Sequence, residues 1–233
     1  MKLGLLGDVH GNDGALSAVL RSAAKAKVDK LLVTGDLVGY YFSPREVLNL
    51  LSGWDCYIVS GNHEVMLAHS RSNPDYLAEV SKRYGSGLQV ALEQLNSQQL
   101  DRLCSLPHPL ELNLDGVRIL LCHGSPWDIN SYLYPDSDIE SLESFFPETF
   151  DLIVLGHTHY PMQREICGVS VVNPGSVGQP RNRKSGAHWA LYDTKTREVE
   201  FRVEKYEARD LIRECELRHP ELPYLANVLM RSK

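Results

Sequence analysis

The 233-residue sequence has no paired cysteine motif. Its five cysteines are scattered and odd in number, and no two of them form a Cys-x-x-Cys pair. In a chain of this size, such usage is typical of reduced thiols in a cytoplasmic protein. We therefore expect most of the cysteines to be small buried hydrophobic residues, and we do not expect a catalytic cysteine.

Long apolar runs and basic runs are absent as well. No apolar segment approaches the ~20 residues that a membrane-spanning helix requires, and the apolar stretch before Asp8 is too short for a signal peptide. The chain has 24 basic and 30 acidic residues and a net charge of -6. This balance disfavours a groove for long nucleic acid, although bound cations would still attract a small phosphorylated substrate. We expect a cytoplasmic protein with no membrane partner.

What the sequence does contain is a set of short apolar segments that end in glycine and polar residues. Segments 2–7, 30–34 and 55–60 have the length and composition of strands buried on both faces. In open α/β sheets, ligands bind in the crevice at the carboxyl ends of the strands, so we expect the residues that follow to meet there. Those residues are Gly7-Asp8-Val9-His10, Gly35-Asp36 and Gly61-Asn62-His63-Glu64.

Helical patterns separate these strands. Residues 13–27 carry apolar side chains at helical spacing, with Asn12 or Asp13 as the N-cap, and 44–51 form a second helix. The strand–helix–strand order predicts a βαβ unit with parallel pairing and a right-handed crossover. Residues 65–106 are mostly helical in pattern, and we expect them to form a cap or insertion within a single domain that spans the whole chain.

The second half of the chain has the pattern of hairpins. Turn residues predict one hairpin for 110–122 and another for 162–172. Other expected elements are strands at 151–155, 188–192 and 198–203, a short helix near 139–146 and a closing helix at 207–217. A βαβ-like first part followed by hairpins indicates two sheets packed as a sandwich with helices outside.

Polar residues behind the predicted strands form a candidate metal site. They combine carboxylates, imidazoles and an amide without a thiolate, which suits manganese, iron, cobalt, nickel or zinc. The set exceeds what one ion takes from a protein, whereas two ions ~3.5–4 Å apart, sharing one carboxylate and a water, would use it. Taken singly, each residue has an ordinary alternative as a helix cap or a satisfied histidine. The candidates are Asp8, His10, Asp36, Asn62, His63, His123, His157 and His159.

Five motifs, in this order, resemble those of the calcineurin-like metallophosphoesterases: Gly7-Asp8-Val9-His10-Gly11, Gly35-Asp36, Gly61-Asn62-His63-Glu64, His123-Gly124 and Gly156-His157-Thr158-His159. The loop 173–178 is similar to that of the compact bacterial phosphoesterases and phosphodiesterases of this superfamily. The resemblance implies an α+β fold, a four-layer αββα sandwich of two mixed sheets flanked by helices. It also implies metal-dependent hydrolysis of phosphate monoesters or diesters, with a hydroxide that bridges two metal ions as the nucleophile.

The resemblance further implies a role for each position. Two divalent ions are expected, with manganese as the first choice and iron, nickel, cobalt or zinc as alternatives. His63 would be catalytic without touching metal, either donating a proton to the leaving oxygen or stabilising developing charge. The first ion would be held by Asp8, His10, Asp36 and His159, and the second by Asp36, Asn62, His123 and His157.

Two positions depart from the family pattern. Many relatives carry an acidic residue three positions after the bridging aspartate, where it can orient the catalytic histidine, but this chain has Gly39. Glu64 is then a candidate for orienting His63. Relatives also tend to continue Val-Gly-Tyr with Gly-Pro, whereas this chain reads Tyr40-Tyr41-Phe42-Ser43-Pro44, which we expect to place aromatic rings near the rim of the site.

The expected substrate is a small phosphorylated compound. Asn12 and Arg181 are candidates for contacting its phosphate, with a role in loop structure as the alternative. A non-catalytic scaffold of the same fold that binds a partner protein would be expected to lose metal ligands, and none of the expected ones is missing. A nuclease shares the metal chemistry, but the chain lacks the basic stripe that binds long nucleic acid. Oligomer formation is left open.

Overall fold

The computed structural model describes residues 1–138 and 150–231, which form ten strands and eight helices. None of these helices has the length and apolar character needed to cross a membrane. The strands are β1 (Lys2–Leu6), β2 (Lys30–Val33), β3 (Cys56–Ile58), β4 (Leu110–Leu114), β5 (Val117–Leu121), β6 (Leu152–Val154), β7 (Met162–Ile166), β8 (Val169–Asn173), β9 (Ala187–Asp193) and β10 (Val199–Glu204). The helices are α1 (Asp13–Ala26), α2 (Pro44–Ser52), α3 (Asn62–Ser70), α4 (Pro74–Tyr84), α5 (Gly87–Gln94), α6 (Ser97–Cys104), α7 (Arg209–Arg218) and α8 (Tyr224–Met230).

The strands form two mixed five-stranded sheets. The first has the order β10-β9-β1-β2-β3, with parallel pairing of β1, β2 and β3. The second has the order β4-β5-β6-β8-β7, with parallel central strands and a hairpin at each edge. The predicted α+β class, the parallel βαβ start and both hairpins are confirmed. The helix predicted near 139–146 lies outside the described residues.

Side chains of the first sheet alternate between two hydrophobic clusters, as the period of two in a strand requires. Leu5 is fully buried in a cluster that also contains Val154 of the second sheet. Leu6, the next residue, is buried on the opposite face in a cluster with Leu16 of α1. The two sheets therefore face one another, and helices cover the other face of the first sheet.

Helices α3 to α6 begin earlier than the sequence pattern indicates. The pattern predicts helix from residue 65, but α3 starts at Asn62 because the Glu64 side chain accepts a hydrogen bond from the backbone N–H of Gly61, at 2.8 Å. This contact provides the carboxylate half of a capping box. The early start places Asn62 and His63 in the first turn of α3, a few residues after the end of β3.

The C-terminal residues beyond 220, for which the sequence pattern predicts no clear element, contain α8. Leu225 of α8 packs in one hydrophobic cluster with Tyr40, Tyr41 and Phe42. Tyr41 is fully buried, and its hydroxyl donates a hydrogen bond to the carbonyl oxygen of Leu225 at 3.2 Å. The C-terminal helices therefore support the loop that follows Asp36.

All five cysteines are free thiols, and their burial differs from the expectation. Cys122 and Cys215 are buried, whereas Cys56 and Cys104 are half-buried. Cys167 is exposed because it lies in the turn of the β7–β8 hairpin with a φ of 51°. Only two of the five are therefore buried core residues of the kind expected from the sequence.

Candidate metal centre

Strand ends from both sheets place the predicted metal ligands in one buried cluster. Asp8 and His10 follow β1, and Asp36 follows β2. His157 and His159 come from the second sheet, in the loop after β6. Asn62 and His123 complete the set, and none of the seven side chains is more than 7% exposed. The seven residues separated by up to 151 positions in sequence thus share one site.

The ligand atoms form two groups that share Asp36. Asp8, His10, Asp36 and His159 offer atoms that all lie within 4.8 Å of one another, and so do Asp36, His123 and His157. Oδ1 of Asn62 lies 2.9 Å from Nε2 of His123 and joins the second group. Oδ2 of Asp36 lies 3.6 Å from Nε2 of His10 and 3.5 Å from Nε2 of His123. The Asp36 carboxylate therefore sits between the two groups.

Backbone carbonyl groups fix the tautomer of three of the histidines. In each of them Nδ1 lies within hydrogen-bond distance of a carbonyl oxygen. Because a carbonyl oxygen only accepts, each Nδ1 carries the proton and each Nε2 presents a lone pair to the cluster. Metal-binding histidines are oriented in this way. The pairs are His10 with Val38 (3.1 Å), His123 with Thr34 (2.7 Å) and His159 with Gln179 (2.6 Å).

Two of these lone pairs face one another. Nε2 of His10 lies 3.2 Å from Nε2 of His159. Burial lowers the pKa of both histidines well below the usual value, so near neutral pH each ring is neutral, with its one proton on Nδ1 and none on Nε2. Two acceptors without a proton between them repel at this distance, whereas a cation bound by both would stabilise the arrangement. The donor set therefore fits a metal ion.

The carboxylates lead to the same conclusion. Burial raises the pKa of Asp8 to about 7 and raises the pKa of Asp36 well above its usual value. Oδ2 of Asp8 is buried and has no hydrogen-bond partner among the described residues. Buried charges and acceptors are costly unless they are paired or bind a cation. A positive ion in the cluster would provide the missing partner for Oδ2 of Asp8.

The loops that carry the ligands have unusual backbone conformations. Residues other than glycine rarely adopt positive φ angles, although Asp and His are enriched there. Such conformations cluster at functional sites, where the surrounding structure holds them. Backbone hydrogen bonds from Asp8 to Gly35 (3.1 Å) and from His10 to Asp36 (2.9 Å) tie the first two loops together. The residues are Asp8 (52°), His10 (52°), Asp36 (53°), Tyr40 (54°), His157 (68°) and His159 (62°).

Glu64 holds the loop that carries Asp36. Its buried carboxylate accepts hydrogen bonds from the backbone N–H groups of Asp36, Leu37 and Gly61, each at 2.8 Å. Since these donors engage both carboxylate oxygens, Glu64 does not orient His63, and the sequence-based suggestion that it does is wrong. The three-residue spacing between Gly61 and Glu64, which is that of a capping box, was the signal for its structural role.

His63 is positioned by ring packing. Its ring centroid lies 4.8 Å from those of His10 and Tyr40 and 5.3 Å from that of Tyr84. Nδ1 of His63 has no hydrogen-bond partner among the described residues, and a Cβ atom at Gly39 would lie only 2.0 Å from it. A side chain at position 39 would therefore clash with the His63 ring in its present position.

The cluster opens to solvent through a narrow polar cleft. Arg181 is half-buried in the cleft, and its Nη2 donates hydrogen bonds to Tyr40 Oη and Gln179 Oε1, both at 3.1 Å. Tyr84 and Tyr132 also line the cleft, and the sequence analysis did not predict either of them. The aromatic residues in the loop 127–137 were a signal for Tyr132 only. The lining residues are Asp36, Tyr40, Asn62, His63, Tyr84, Tyr132, His157, His159 and Arg181.

Asn12 does not line the cleft. Its Oδ1 caps α1 by accepting a hydrogen bond from Ala15 N at 3.1 Å. Its Nδ2 donates to the carbonyl oxygen of Gly178 at 3.0 Å and to the hydroxyl of Tyr206 at 2.9 Å. The structural alternative for Asn12 is therefore the one observed, and the contact with phosphate expected from the sequence is not supported.

Comparisons with known proteins agree with this fold and site. The calcineurin-like phosphoesterase superfamily domain matches residues 1–197. An uncharacterized protein of Methanocaldococcus jannaschii is 30% identical, with 87% of each chain covered. A metallophosphoesterase from Sphaerobacter thermophilus is 29% identical, with a TM-score of 0.81 over 99% of this chain and 98% of that one. A hypothetical protein from Pyrococcus horikoshii OT3 shares the fold at 24% identity, with a TM-score of 0.84 and coverage of 98% and 97%. The chain therefore belongs to the calcineurin-like phosphoesterase superfamily and is a metallophosphoesterase, an enzyme that hydrolyses phosphoric esters.

Proposed function

We propose that this enzyme hydrolyses phosphate monoesters or diesters of small molecules with two divalent ions bound in the cluster. The observation that carries the proposal is the pair of ligand groups that share Asp36. Seven ligand residues exceed what one ion requires, and a shared carboxylate is typical of two-metal sites. The mixture of oxygen and nitrogen ligands suits manganese, iron, nickel, cobalt or zinc, and the family resemblance makes manganese our first choice.

We assign the ligands by the group to which they belong. When bound, the two ions would supply a water of lowered pKa and polarise the phosphoryl oxygens. Asp36 would contribute to both ions, and the carbonyl groups that accept from Nδ1 would keep the histidine lone pairs directed at them. The first ion would be held by Asp8, His10, Asp36 and His159, and the second by Asp36, Asn62, His123 and His157.

His63 and Arg181 line the cleft but belong to neither ligand group. We therefore assign His63 the task of donating a proton to the leaving oxygen or stabilising the charge that develops on it, which typically contributes ~10²–10⁴ in rate. Of the side-chain nitrogens of Arg181, Nη2 is the one that donates hydrogen bonds to other described residues. Its remaining N–H groups would bind a phosphate oxygen, because a guanidinium matches the geometry of phosphate.

Hydrolysis of p-nitrophenyl phosphate and bis(p-nitrophenyl) phosphate by the manganese-loaded protein tests the proposal. We expect turnover with at least one of the two esters, and a loss on the order of 10²-fold or more in Asp36→Asn, because that variant weakens both ligand groups. Asp101→Asn is the matched control, since Asp101 is exposed and pairs with Arg71 at the surface. Unchanged turnover in Asp36→Asn would contradict the shared role of this carboxylate.

We also propose that the chain forms a single domain with α3 to α6 as its helical cap. Leu67, Leu88 and Leu100 of these helices are buried in the same hydrophobic cluster as Leu16 of α1 and Val33 of β2. A separate folding unit would have a core of its own. Limited proteolysis is expected to yield no stable fragment that consists of residues 62–104 alone.

A further inference from the structure

Three tyrosines, Tyr40, Tyr84 and Tyr132, form the rim of the cleft, and two further tyrosines pack against them. Tyr40 follows β2, Tyr84 ends α4, and Tyr224 begins α8. The ring centroid of Tyr40 lies 5.6 Å from that of Tyr84 and 6.3 Å from that of Tyr224. Tyr132 and Tyr134 belong to the loop after β5, and their rings are stacked at 10° with centroids 5.9 Å apart. The chemistry of the phosphate group does not itself require these rings.

Tyr132 lies on this rim and Tyr134 stacks on Tyr132, and we call the two residues the tyrosine platform. Their side chains are 51% and 38% exposed, respectively. The ring centroid of Tyr132 lies 4.1 Å from that of His157, which belongs to the second ligand group. An exposed aromatic surface therefore begins one imidazole ring away from the metal cluster. Exposed aromatic residues next to a polar site are typical of ligand-binding surfaces.

Charge offers little for recognising the rest of a substrate. Among the residues that line the cleft, Arg181 is the one lysine or arginine. The proposed function already uses Arg181 for a phosphate oxygen. The part of the substrate beyond the phosphate would therefore meet aromatic rings and not a second cation. A group that stacks on tyrosine matches this surface better than an acidic group does.

We propose that the substrates are small nucleotides and that the nucleobase stacks on the tyrosine platform. Tyr132 lines the cleft beside the ring of His157, with the two centroids 4.1 Å apart, so a ribose between the phosphate and the base would let the base reach the platform. An aryl group bonded directly to the ester oxygen has no such spacer. Stacking of a base on an aromatic side chain is tolerant of base identity and contributes a factor of about 10–100 in binding. This inference rests on the proposed phosphoester hydrolysis.

Matched substrates with and without a base test the inference. Adenosine 5′-monophosphate and ribose 5-phosphate release the same kind of alkoxide and differ at C1 of the sugar, where a hydroxyl replaces the base. For diesters, a dinucleotide is compared with its analogue that carries an abasic residue. For the manganese-loaded wild type we expect kcat/KM to be about 10-fold or more higher for the member that carries the base, mainly through a lower KM. Equal values for both pairs overturn the inference.

Variants of the tyrosine platform provide a second test of the inference. In Tyr132→Leu the ratio between the paired substrates is expected to fall toward one, and Tyr134→Leu is expected to lower it in the same direction. The matched control is Phe201→Leu, an exposed aromatic residue of β10 that is 39% exposed, and it should keep the wild-type ratio. A wild-type ratio in both platform variants, with folding verified by circular dichroism, overturns the proposal.

Two outcomes separate this inference from the proposed function. If the manganese-loaded wild type hydrolyses sugar phosphates and nucleotides equally well, the base is not recognised, but phosphoester hydrolysis stands. If it hydrolyses no ester at all, the proposed function itself fails. Phenyl phosphate tests whether the platform binds a nucleobase or any aromatic group. If Tyr132→Leu lowers kcat/KM for phenyl phosphate as much as for adenosine monophosphate, the assignment to a nucleobase is overturned.

Discussion

Replacing Glu64 with glutamine should loosen the loop that holds Asp36. The two side chains have the same shape, but the glutamine amide presents hydrogen atoms where one carboxylate oxygen now accepts. Oε2 of Glu64 accepts from Asp36 N and Gly61 N, and Oε1 accepts from Leu37 N, all at 2.8 Å. Whichever way the amide is turned, at least one backbone N–H group would face another donor.

The magnitude follows from these contacts. A hydrogen bond to a charged group contributes about 1.5–3 kcal/mol, and a buried donor that loses its acceptor adds its desolvation cost. If the Oε2 side is lost, two such bonds disappear and the expected cost is about 3–6 kcal/mol. Domains of this kind are stable by only ~5–15 kcal/mol, so the change is large. The displaced Asp36 should also reduce metal binding and turnover.

Urea unfolding of the manganese-loaded protein measures this effect. Bound metal is needed because Glu64 also repels the buried carboxylate of Asp36, and its loss would relieve that repulsion in metal-free protein. We expect the midpoint of Glu64→Gln to fall by about 1 M urea or more. Glu93→Gln on the exposed face of α5 is the matched control and should unfold like the wild type. Equal midpoints for the two variants would refute the role assigned to Glu64.

Three further predictions concern the site. Gly39→Ala should lower the free energy of unfolding by ~1–3 kcal/mol, because the new methyl group overpacks against His63. Since the methyl group displaces Nδ1 of His63, the variant should lower kcat more than it raises KM, and steady-state kinetics that match the wild type would contradict this. Manganese should raise the melting temperature, with about 2.7 kcal/mol of stabilisation at 100 times the dissociation constant, and a chelator should reverse the shift; a melting temperature that manganese leaves unchanged would argue against a site in the folded state. Arg181→Lys should raise KM about tenfold by removing a forked phosphate contact, and an unchanged KM would exclude that contact.

The sequence predicts the positions of the ligands because each of them directly follows a buried strand or opens the next helix. Asp8 and Asp36 follow two parallel strands in the chain. Since the carboxyl ends of parallel strands lie at the same edge of a sheet, the sequence alone predicts that these two residues lie there. The alternation of Leu5 and Leu6 between two cores is also visible in the pattern of a strand. Local chemistry and strand period are sufficient for these features.

Other features depend on contacts between distant segments and leave little local signal. In the sequence, Glu64 is next to His63 and is a candidate for its hydrogen-bond partner. In the fold, its carboxylate accepts hydrogen bonds from the backbone of residues 36–38, which follow another strand. Tyr132 reaches the cleft from a loop without regular structure, next to His157 in the fold although 25 residues away in sequence. Sequence spacing predicts neither contact, because each one joins segments that follow two neighbouring parallel strands, β2 and β3 for Glu64 and β5 and β6 for Tyr132.

The account depends on two cations that share the Asp36 carboxylate. Crystals of the manganese-loaded protein, measured at the manganese absorption edge, test this directly. We predict two anomalous peaks ~3.5–4 Å apart, one on each side of Asp36. A single peak, or peaks beyond the reach of that carboxylate, would contradict it.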